Sequence, residues 1–301
     1  MSPLPVAART VMGMQIGAVI PHHEIGTDPG AIRAFAQGAE DIGMTHLLLY
    51  DHVVGVDRNR PGGFEGPYDS NTAFHEPMVL FGYLAACTRR VELVTAVLIL
   101  PQRQAVLVAK QAAELAMLSD NRFKLGVGVG WNTVEYDALN EDFHTRGRRQ
   151  AEQVELLRRL WTEDVFTFDG EFHHFEHASI LPRPSAPIPV LFGGSASASL
   201  DRCARLGDGW MPLGSPNDKS AERLAEMRRA REAAGLSWDG FQIQAQAQYA
   251  GGDADRWRAH AERWQRLGAT HLAVATHNAG PTDVDGHLGR MAEYRAAVAD
   301  D

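Results

Sequence analysis

The chain of 301 residues contains few cysteines, few lysines and no long apolar run. Its two cysteines, Cys87 and Cys203, are too few for a disulfide scaffold, and such sparse use is typical of proteins in a reducing compartment. No apolar run approaches the roughly 20 residues that a membrane-spanning helix needs. The first residues lack the apolar stretch of a signal peptide. We therefore expect a cytoplasmic protein with no membrane partner.

Positive charge is also scarce in the sequence. The 29 basic residues, of which only three are lysine, are outnumbered by 38 acidic residues, and the formal net charge is −9. A nucleic-acid partner is not expected, because neutralising phosphates requires a basic surface. The Walker A loop, the GxSxG elbow and the Cys–His nucleophile signatures are missing as well. These absences leave a small-molecule substrate as the expected partner.

Eight short apolar runs alternate with longer amphipathic stretches. The runs are rich in Val, Leu and Ile, which is typical of buried parallel strands. They cover residues 15–20, 46–50, 91–97, 123–129, 188–192, 209–213, 242–249 and 271–276. Eight strand–helix units in roughly 285 residues predict an α/β protein with a (β/α)8 TIM barrel. The alternative is an open doubly wound sheet, but residues 21–26 (PHHEIG) lack the GxGxxG turn usual after its first strand.

The domain organisation predicted from this pattern is simple. Residues 1–13 show no periodicity and are expected to form a flexible leader, and residues 14–301 are expected to form one barrel domain. Gly43, Gly207 and Gly268 each stand just before a strand, where a left-handed residue would end the preceding helix. Helical spacing places apolar residues on one face in three of the intervening stretches. The faces are Val106, Ala109, Ala113 and Met117; Val154, Leu157 and Trp161; and Trp257, Ala261 and Trp264.

The loops after the strands form the catalytic face of such a barrel. This rule restricts the candidate site residues to those just beyond each run. They are His22 and His23, Asp51 and His52, Ala96 and Val97, Trp131 and Asn132, Gly193 to Ala196, Leu213 to Ser215, Gln248 and Tyr249, and His277 and Asn278.

One of these loops has the composition of a phosphate site. Gly193, Gly194, Ser195 and Ala196 follow a strand and open a helix, where free N–H groups and serine hydroxyls suit an anion. The plainer interpretation is a tight turn between strand and helix. The late position in the barrel favours the phosphate, because such sites often lie late in the strand order.

A second loop carries the residues suited to proton transfer. Asp51 stands beside His52, and a carboxylate next to an imidazole could set its tautomer and place a proton donor. A structural role for this histidine is the alternative. Glu76, in the tetrapeptide 74–77 (FHEP), is expected to cap a helix or brace the barrel rim.

Two strands carry the same residue type at every second position, glycine in one and glutamine in the other. Gly126, Gly128 and Gly130 leave bare positions on one strand face, against which a flat ring or another backbone must pack. In the seventh strand, glutamine occupies positions 242, 244, 246 and 248. This polar face is expected to point into the barrel, and its upper members, Gln246 and Gln248, could reach a ligand.

Thirteen histidines raise the question of a metal. His173, His174 and His177 lie close together near a predicted turn at Asp169–Gly170, but their strand-like spacing does not converge on one ion. We find no convincing grouping of carboxylates and histidines across the strand ends, so the sequence predicts no metal site.

Several segments together resemble a known family. They are YDH (50–52), FHEP (74–77), the long segment 91–136, DFHTRG (142–147), LLRRLW (156–161), PIPVLFGGSASAS (187–199) and GDGW (207–210). In these segments the chain is similar to the luciferase-like monooxygenase superfamily, in the branch that uses the deazaflavin coenzyme F420. The resemblance implies a (β/α)8 barrel and a cis peptide between Ala96 and Val97 that lies against the cofactor ring.

The resemblance also implies the positions of the cofactor and the catalytic pair. It places Asp51 and His52 beside ring and substrate, with His52 as proton donor, and the cofactor phosphate over the glycine-rich turn. The residues expected to contact F420 are Asp51, Ala96, Val97, Gly130, Trp131, Gly193, Gly194, Ser195 and Ala196. The branch members known as sugar-phosphate dehydrogenases carry a glutamate at position 131, a tryptophan at position 56 and a lysine near residues 213–215, and this chain has none of these. A sugar phosphate is therefore not the expected substrate, and fewer acid–base groups are expected.

The function expected from this resemblance is hydride transfer between C5 of F420 and a small substrate. Trp131 favours an apolar or aromatic substrate, and residues 53–75 could form a lid that excludes water. Two alternatives remain open. One is an FMN-dependent monooxygenase on the same scaffold, and the other is a non-catalytic flavin-binding relative. The family also implies a homodimer.

Overall fold

Eight parallel strands close into a barrel in the computed structural model, which describes residues 13–298. The predicted flexible leader, apart from Gly13, lies outside the described residues. In chain order the strands are β1 (Gln15–Val19), β2 (His46–Leu49), β3 (Glu92–Thr95), β4 (Leu98–Ile99), β5 (Phe123–Gly128), β6 (Phe166–Asp169), β7 (His174–Ala178), β8 (Val190–Gly193), β9 (Gly209–Met211), β10 (Gln242–Gln248) and β11 (His271–Ala275).

Pairing runs around the barrel in the order β3-β2-β1-β11-β10-β9-β8-β5, and β5 returns to β3. All of these pairs are parallel, and the first and last barrel strands are in register from Gln15 opposite His271 to Ala18 opposite Val274. The predicted (β/α)8 barrel is therefore confirmed, and the open sheet is excluded because no strand of the ring is left with an unpaired edge.

The helices lie outside the barrel. They are α1 (Pro29–Ile42), α2 (Pro77–Cys87), α3 (Ala105–Leu118), α4 (Thr133–Ala138), α5 (Arg146–Thr162), α6 (Ser197–Leu206), α7 (Asp218–Ala233), α8 (Ala254–Arg266) and α9 (Val284–Val298). None of the helices in residues 13–298 has both the length and the apolar character needed to cross a membrane. The strand β4 continues β3 after a short interruption, and β6 and β7 form an antiparallel hairpin before β8.

The predicted buried faces of the helices are correct for two of the three. Val154, Leu157 and Trp161 are buried, and so are the three residues predicted on α8. On α3 the stripe is rotated. Ala109 and Ala113 are buried as predicted, whereas Val106 is 42% exposed, and the buried face also includes Ala105, Val108 and Ala112. The alanine-rich sequence of α3 offers several apolar stripes, and packing against the barrel selects one of them.

Two of the three predicted glycine caps adopt the expected conformation. Gly43 and Gly268 have φ values of +89° and +84°, in the left-handed region that ends a helix. Gly207 instead has φ −90° and ψ 156°. A Cβ atom at Gly207 would lie 2.8 Å from the carbonyl oxygen of Cys203, so close packing rather than left-handed backbone requires glycine there.

The bare face of β5 packs against its neighbours in the barrel. A Cβ atom on Gly126 would lie 1.9 Å from the carbonyl oxygen of Thr95, and one on Gly128 would lie 2.4 Å from Cγ2 of Val97. The sequence left open a ring or another backbone as the partner of this face. The structure places strand β3 and the Val97 side chain there.

Candidate active site

A cavity of about 410 Å³ opens at the carboxyl ends of the barrel strands. Its volume falls in the range usual for small-molecule and cofactor sites. The residues that line it are Tyr50, Asp51, His52, Tyr68, Ala96, Val97, Ile99, Gly128, Val129, Gly130, Trp131, Gly193, Gly194, Met211, Leu213 and Gln246. The lining includes eight of the ten residues predicted for the site. Ser195 and Ala196 lie outside it.

The floor of the cavity is built where β3 meets β5 and β8. The peptide between Ala96 and Val97 is cis, as predicted. Val97 packs so closely on β8 that a Cβ atom at Gly193 would lie 2.9 Å from its Cγ1. Gly194 has φ +112°, a conformation that favours glycine. The floor is therefore formed by backbone and a single valine side chain, a surface that a flat ring can approach closely.

His52 is held in place by Glu135, a glutamate of helix α4. Its Nδ1 lies 3.2 Å from Oε2 of Glu135, and Oε1 of that carboxylate accepts hydrogen bonds from the N–H groups of Val53 and Val54. The Glu135 side chain is 1% exposed. Burial alone would raise the pKa of this carboxyl, but the hydrogen bonds from His52, Val54 and Val53 outweigh burial and lower it. Glu135 is therefore ionised at neutral pH and fixes the orientation of the imidazole.

This arrangement corrects the predicted partner of His52. The carboxylate of its neighbour, Asp51, accepts hydrogen bonds from the N–H of Ile99 at 2.9 Å and from Arg103 at 2.8 Å. Successive residues at a strand end point to opposite faces. The side chains of Asp51 and His52 therefore diverge and do not form a hydrogen bond with each other. Burial raises the pKa of Asp51, and Arg103 and the Ile99 N–H oppose that rise. Asp51 borders the cavity and ties β2 to β4.

Glu135 was missed by the sequence analysis. It stands three residues after Asn132, which caps α4 by accepting a hydrogen bond from the Val134 N–H. An acidic residue at this position of a helix normally suggests a capping box, so the pattern gives no indication of a catalytic partner. The expectation of fewer acid–base groups is corrected too, because Glu135 provides a buried carboxylate four residues beyond Trp131.

Two aromatic residues from the predicted lid segment pack around the ring of His52. The rings of Tyr68 and Phe74 lie 5.4 and 4.8 Å from the ring of His52. Trp131, from the loop after β5, lies 5.7 Å from His52 and 5.9 Å from Phe64, and 42% of it is exposed. Of these rings, those of Tyr68 and Trp131 line the cavity, and Phe74 and Phe64 pack against them.

One of the two glutamines predicted to reach a ligand, Gln246, lines the cavity. The hydroxyl of Tyr50 donates a hydrogen bond of 2.6 Å to Oε1 of Gln246, and both residues line the cavity. Gln248 lies outside this lining. Glu76 caps α2 through the Val79 N–H and pairs with Arg103 at 2.9 Å, as predicted for a rim residue.

The glycine-rich turn leads out of the cavity towards the surface. Gly193 and Gly194 line the cavity, whereas Ser195 borders a neighbouring depression with Ser197, Lys219 and Arg223. Ala196 occupies the position before the first turn of α6, and its carbonyl accepts the N–H groups of residues 199 and 200. The turn therefore connects the cavity with a depression lined by two basic side chains, Lys219 and Arg223, and two acidic ones, Glu222 and Glu226.

Positive charge behind this turn was not predicted from the sequence. Arg202 donates a hydrogen bond of 3.1 Å to the hydroxyl of Ser199, whose Cβ lies 3.3 Å from where a Gly194 Cβ would stand. Burial lowers the pKa of Arg202, and the nearby positive charge of Arg146 lowers it further. The positive charge of Arg202, which is linked to the turn through Ser199, favours an anion there.

Two of the three histidines considered as metal ligands in the sequence, His173 and His174, pair with carboxylates. Nδ1 of His173 lies 2.7 Å from Glu152, and Nδ1 of His174 lies 2.8 Å from Asp169. They form separate pairs on the hairpin and do not converge.

Comparisons with known proteins match this architecture. The profile of the luciferase-like monooxygenase family matches residues 13–299. An uncharacterised protein of Mycobacterium tuberculosis is 41% identical over 222 residues, which cover 69% of this chain and 77% of that protein. An FMNH2-dependent dimethylsulfone monooxygenase of Pseudomonas fluorescens is 31% identical over 157 residues, which cover 51% of this chain and 43% of that enzyme.

A solved structure with the same fold is an F420-dependent secondary alcohol dehydrogenase in complex with an F420–acetone adduct. It superposes with a TM-score of 0.79 at 17% identity, and the match covers 95% of this chain and 99% of that one.

Proposed function

Because this chain belongs to the luciferase-like monooxygenase family, we propose that it is an oxidoreductase that uses coenzyme F420 to transfer a hydride to or from a small apolar or aromatic substrate. The observation that carries this proposal is the pairing of His52 with Glu135 at the edge of the cavity. It places a proton-handling imidazole beside a floor that suits a flat ring.

The cavity has the features that a deazaflavin requires. The ring would lie on the floor formed by Ala96, Val97 and Gly128, where side chains are small or absent. The anionic end would follow the turn at Gly193 and Gly194 towards the free N–H groups that begin α6. Arg202 would then stabilise the phosphate through its positive charge.

Proton transfer is the step that the residues of this chain would perform. F420, when bound, supplies or accepts a hydride at C5. Each hydride given to a carbonyl or a polarised double bond must be matched by one proton on the substrate. Because Nδ1 of His52 is bonded to Glu135, Nε2 is the nitrogen left to exchange that proton. Glu135 acts as a positioning residue, since it fixes the tautomer and stabilises the imidazolium.

The cavity wall supports an uncharged substrate. Trp131, Tyr68 and Leu213 line it. Neither lysine nor arginine is among the lining residues in the described part of the chain, so a phosphorylated substrate would lack a counter-charge. Tyr50, already bonded to Gln246, could orient a carbonyl or hydroxyl group of the substrate.

FMN is the second candidate cofactor. The dimethylsulfone monooxygenase, whose name states FMNH2 dependence, is 31% identical to this chain over 157 residues, whereas the F420-dependent alcohol dehydrogenase is 17% identical. An FMN-dependent monooxygenase would use the same floor and the same phosphate turn.

Titration of each cofactor into the purified protein separates the two candidates. Changes in cofactor absorbance and fluorescence give the dissociation constants, and we expect F420 to bind at least about tenfold more tightly than FMN. Tighter binding of FMN would overturn the F420 assignment. Oxidation of reduced F420 by a panel of ketones, enones and quinones then tests for turnover. Binding of F420 without oxidation by any acceptor would favour a non-catalytic protein.

The phosphate placement has its own test. Arg202→Met is expected to weaken binding of FMN relative to riboflavin, and of F420 relative to its phosphate-free chromophore, by about tenfold, the size of one charged hydrogen bond. Arg205→Met is the matched control, because this arginine lies on the same helix but pairs with Asp201 at the surface. Equal losses for phosphorylated and phosphate-free ligands would place the phosphate elsewhere.

A further inference from the structure

Three histidines meet where the first and last strands of the barrel pair. His22 and His23 follow β1, and His277 follows β11. One ring nitrogen of each lies within 4.8 Å of a ring nitrogen of the other two. His22 and His277 are almost fully buried, and the side chain of His23 is 23% exposed. The cluster lies outside the lining of the cavity and is separated from it by Tyr50, whose ring is 5.6 Å from that of His22.

Each of these imidazoles has a nitrogen that is buried and makes no hydrogen bond. These atoms are Nε2 of His22, Nδ1 of His23 and Nε2 of His277. Nδ1 of His22 donates to the carbonyl of Ile20 at 3.3 Å, so the lone pair of this ring lies on Nε2. Buried polar atoms without partners are uncommon in folded proteins. Three of them meet here, within reach of one ligand.

A carboxylate stands beside the three imidazoles. Glu24 adds a negative charge there, with Oε1 3.9 Å from Nε2 of His23. Imidazole lone pairs next to a carboxylate attract a cation.

We propose that His22, His23 and His277 bind one divalent transition-metal ion, of which Zn²⁺ is the type. Imidazole nitrogen suits zinc, cobalt, nickel and copper, whereas calcium and magnesium prefer oxygen ligands. Three histidines leave a fourth position of a tetrahedral site for water. The ion fastens the loop after β1 to the loop after β11, at the place where the barrel closes.

The ring orientations suit a shared ion for His22 and His277 but not yet for His23 and His277. The rings of His22 and His277 lie at 66° to each other, with centroids 5.6 Å apart. His23 and His277 are stacked, with 7° between their planes and centroids 4.4 Å apart. Because a lone pair lies in the plane of its ring, His23 must rotate out of this stack to face the same ion.

The distances require only a small further movement. Zn–N bonds of about 2.0–2.1 Å place two nitrogens of a tetrahedral site roughly 3.4 Å apart. The ring nitrogens lie within 4.8 Å of one another, so they must approach by at most about 1.4 Å. His23 lies in the turn after β1 and is partly exposed. Its rotation therefore takes place at the surface, and the buried pair stays in position.

Metal binding can be measured on the full chain with any affinity tag removed and after dialysis against a chelator. Co²⁺ reports its ligands through visible absorption bands, and Zn²⁺ competes for the same site. We expect one equivalent of either ion per chain, with micromolar or tighter affinity. We also expect Zn²⁺ to raise the midpoint of thermal unfolding, because an ion that binds only the folded state stabilises it.

Variants show whether the three histidines are the ligands. His23→Ala and His277→Ala are each expected to weaken Co²⁺ binding by about 100-fold or more, beyond the 10–100-fold usual for loss of an outer-shell partner. His174→Ala is the matched control, because that histidine is exposed on β7. This variant should bind Co²⁺ as tightly as the wild type does. His23→Ala removes the least buried ligand and so keeps the proposal testable if His277→Ala does not fold.

Two outcomes would overturn the proposal. One is the failure of the wild type to retain an equivalent of Co²⁺ or Zn²⁺ at micromolar concentration, in which case water satisfies the free nitrogens. The other is equal affinity in the wild type and in His23→Ala, which would indicate adventitious binding elsewhere. Neither outcome bears on the proposed oxidoreductase function, whose residues lie in the separate cavity.

Discussion

The two ends of the barrel use buried histidine in different ways. At the amino ends of the strands, His46 and His271 each have a partner for both ring nitrogens. His46 bonds Thr45 at 2.9 Å and Gln244 at 3.0 Å, and His271 bonds Thr270 at 2.7 Å and Lys124 at 3.2 Å. At the carboxyl ends, His22, His23 and His277 each leave one buried nitrogen without a partner.

This difference indicates that the histidines at the amino ends stabilise the fold, whereas those at the carboxyl ends are available to a ligand. Lys124 ties the amino end together through Glu92 at 2.7 Å and Gln242 at 3.1 Å, so this polar cluster within the barrel is linked by its own bonds. The free nitrogens at the carboxyl end, like the cavity beside them, can be completed by a ligand. The same division is general among such barrels, in which the face at the carboxyl ends carries the chemistry.

Replacing His52 should affect turnover and leave stability almost unchanged. His52→Ala removes the group that exchanges a proton with the substrate, and general acid–base catalysis of this kind contributes about 10²–10⁴-fold. Cofactor affinity should stay within a few-fold, because the ring rests on backbone and apolar groups. The measurement is steady-state turnover with excess reduced F420 and the best acceptor from the panel, together with urea unfolding.

Two variants sharpen this test. Glu135→Gln keeps the shape of the positioning residue but removes its charge, and we expect turnover to fall about tenfold or more while cofactor affinity stays the same. His52→Gln keeps much of the polar shape of the imidazole. If His52→Gln has wild-type turnover and an unchanged pH profile, His52 only shapes the pocket and the proton-donor role is wrong.

Removing Lys124 should have the opposite result. Lys124→Met leaves Glu92, His271 and Gln242 without their shared cation, and we expect it to destabilise the fold by about 2 kcal/mol, since Glu92 is partly exposed. Cofactor affinity should not change. Lys110→Met is the control, because its pair with Glu114 lies on the surface of α3 and should contribute less than about 1 kcal/mol. A loss of cofactor binding in Lys124→Met would contradict the division between the two ends.

A side chain at Gly194 should reduce affinity for the cofactor. Gly194→Val places a branched side chain at φ +112° and against Ser199. We expect binding to weaken by about tenfold, the size of one lost charged hydrogen bond. Cofactor titration checks this. Unchanged affinity would argue against the turn as the phosphate site.

Acid should destabilise the amino end through His271. Burial and the nearby Lys124 lower its pKa from 6.5 to about 3, so the unfolded chain takes up a proton between these pH values and the folded chain does not. The stability that this neutral histidine contributes is present above pH 6.5 and is lost as pH falls towards 3. Between pH 7.5 and 5.5 we expect the wild type to lose about 1 kcal/mol more than His271→Gln. Equal losses in urea unfolding would show that His271 is protonated in the fold.

The elements of the fold were predictable because their signals are local. All eight barrel strands coincide with the apolar runs identified in the sequence, although β8 extends one residue beyond its run, and the buried stripes of α5 and α8 follow from helical spacing. The α3 stripe was correct for Ala109 and Ala113 but wrong for Val106, because the alanines of this helix make several faces similarly apolar. The prediction of a left-handed cap at Gly207 was wrong, because close packing, and not backbone conformation, requires glycine there.

The candidate site was predictable only in its outline. Because the barrel rule says that the site lies beyond the strand ends, it located His52, Trp131 and the glycine-rich turn. The rule gives no information on side-chain direction, and for that reason it paired His52 with Asp51. Glu135 lies 83 residues beyond His52, at a position in α4 that predicts a cap. Arg202 looked like one more surface arginine of a helix.

The sequence by itself determined where strands and helices form and at which end of the barrel the chemistry lies, because periodicity and glycine conformation depend on near neighbours in the chain. Only the tertiary structure decided which side chains meet. His22 and His277 come together because β1 pairs with β11 to close the barrel, and His52 reaches Glu135 because α4 begins beside the end of β2. Contacts of this kind depend on closure and on the direction of each side chain, neither of which a local pattern specifies.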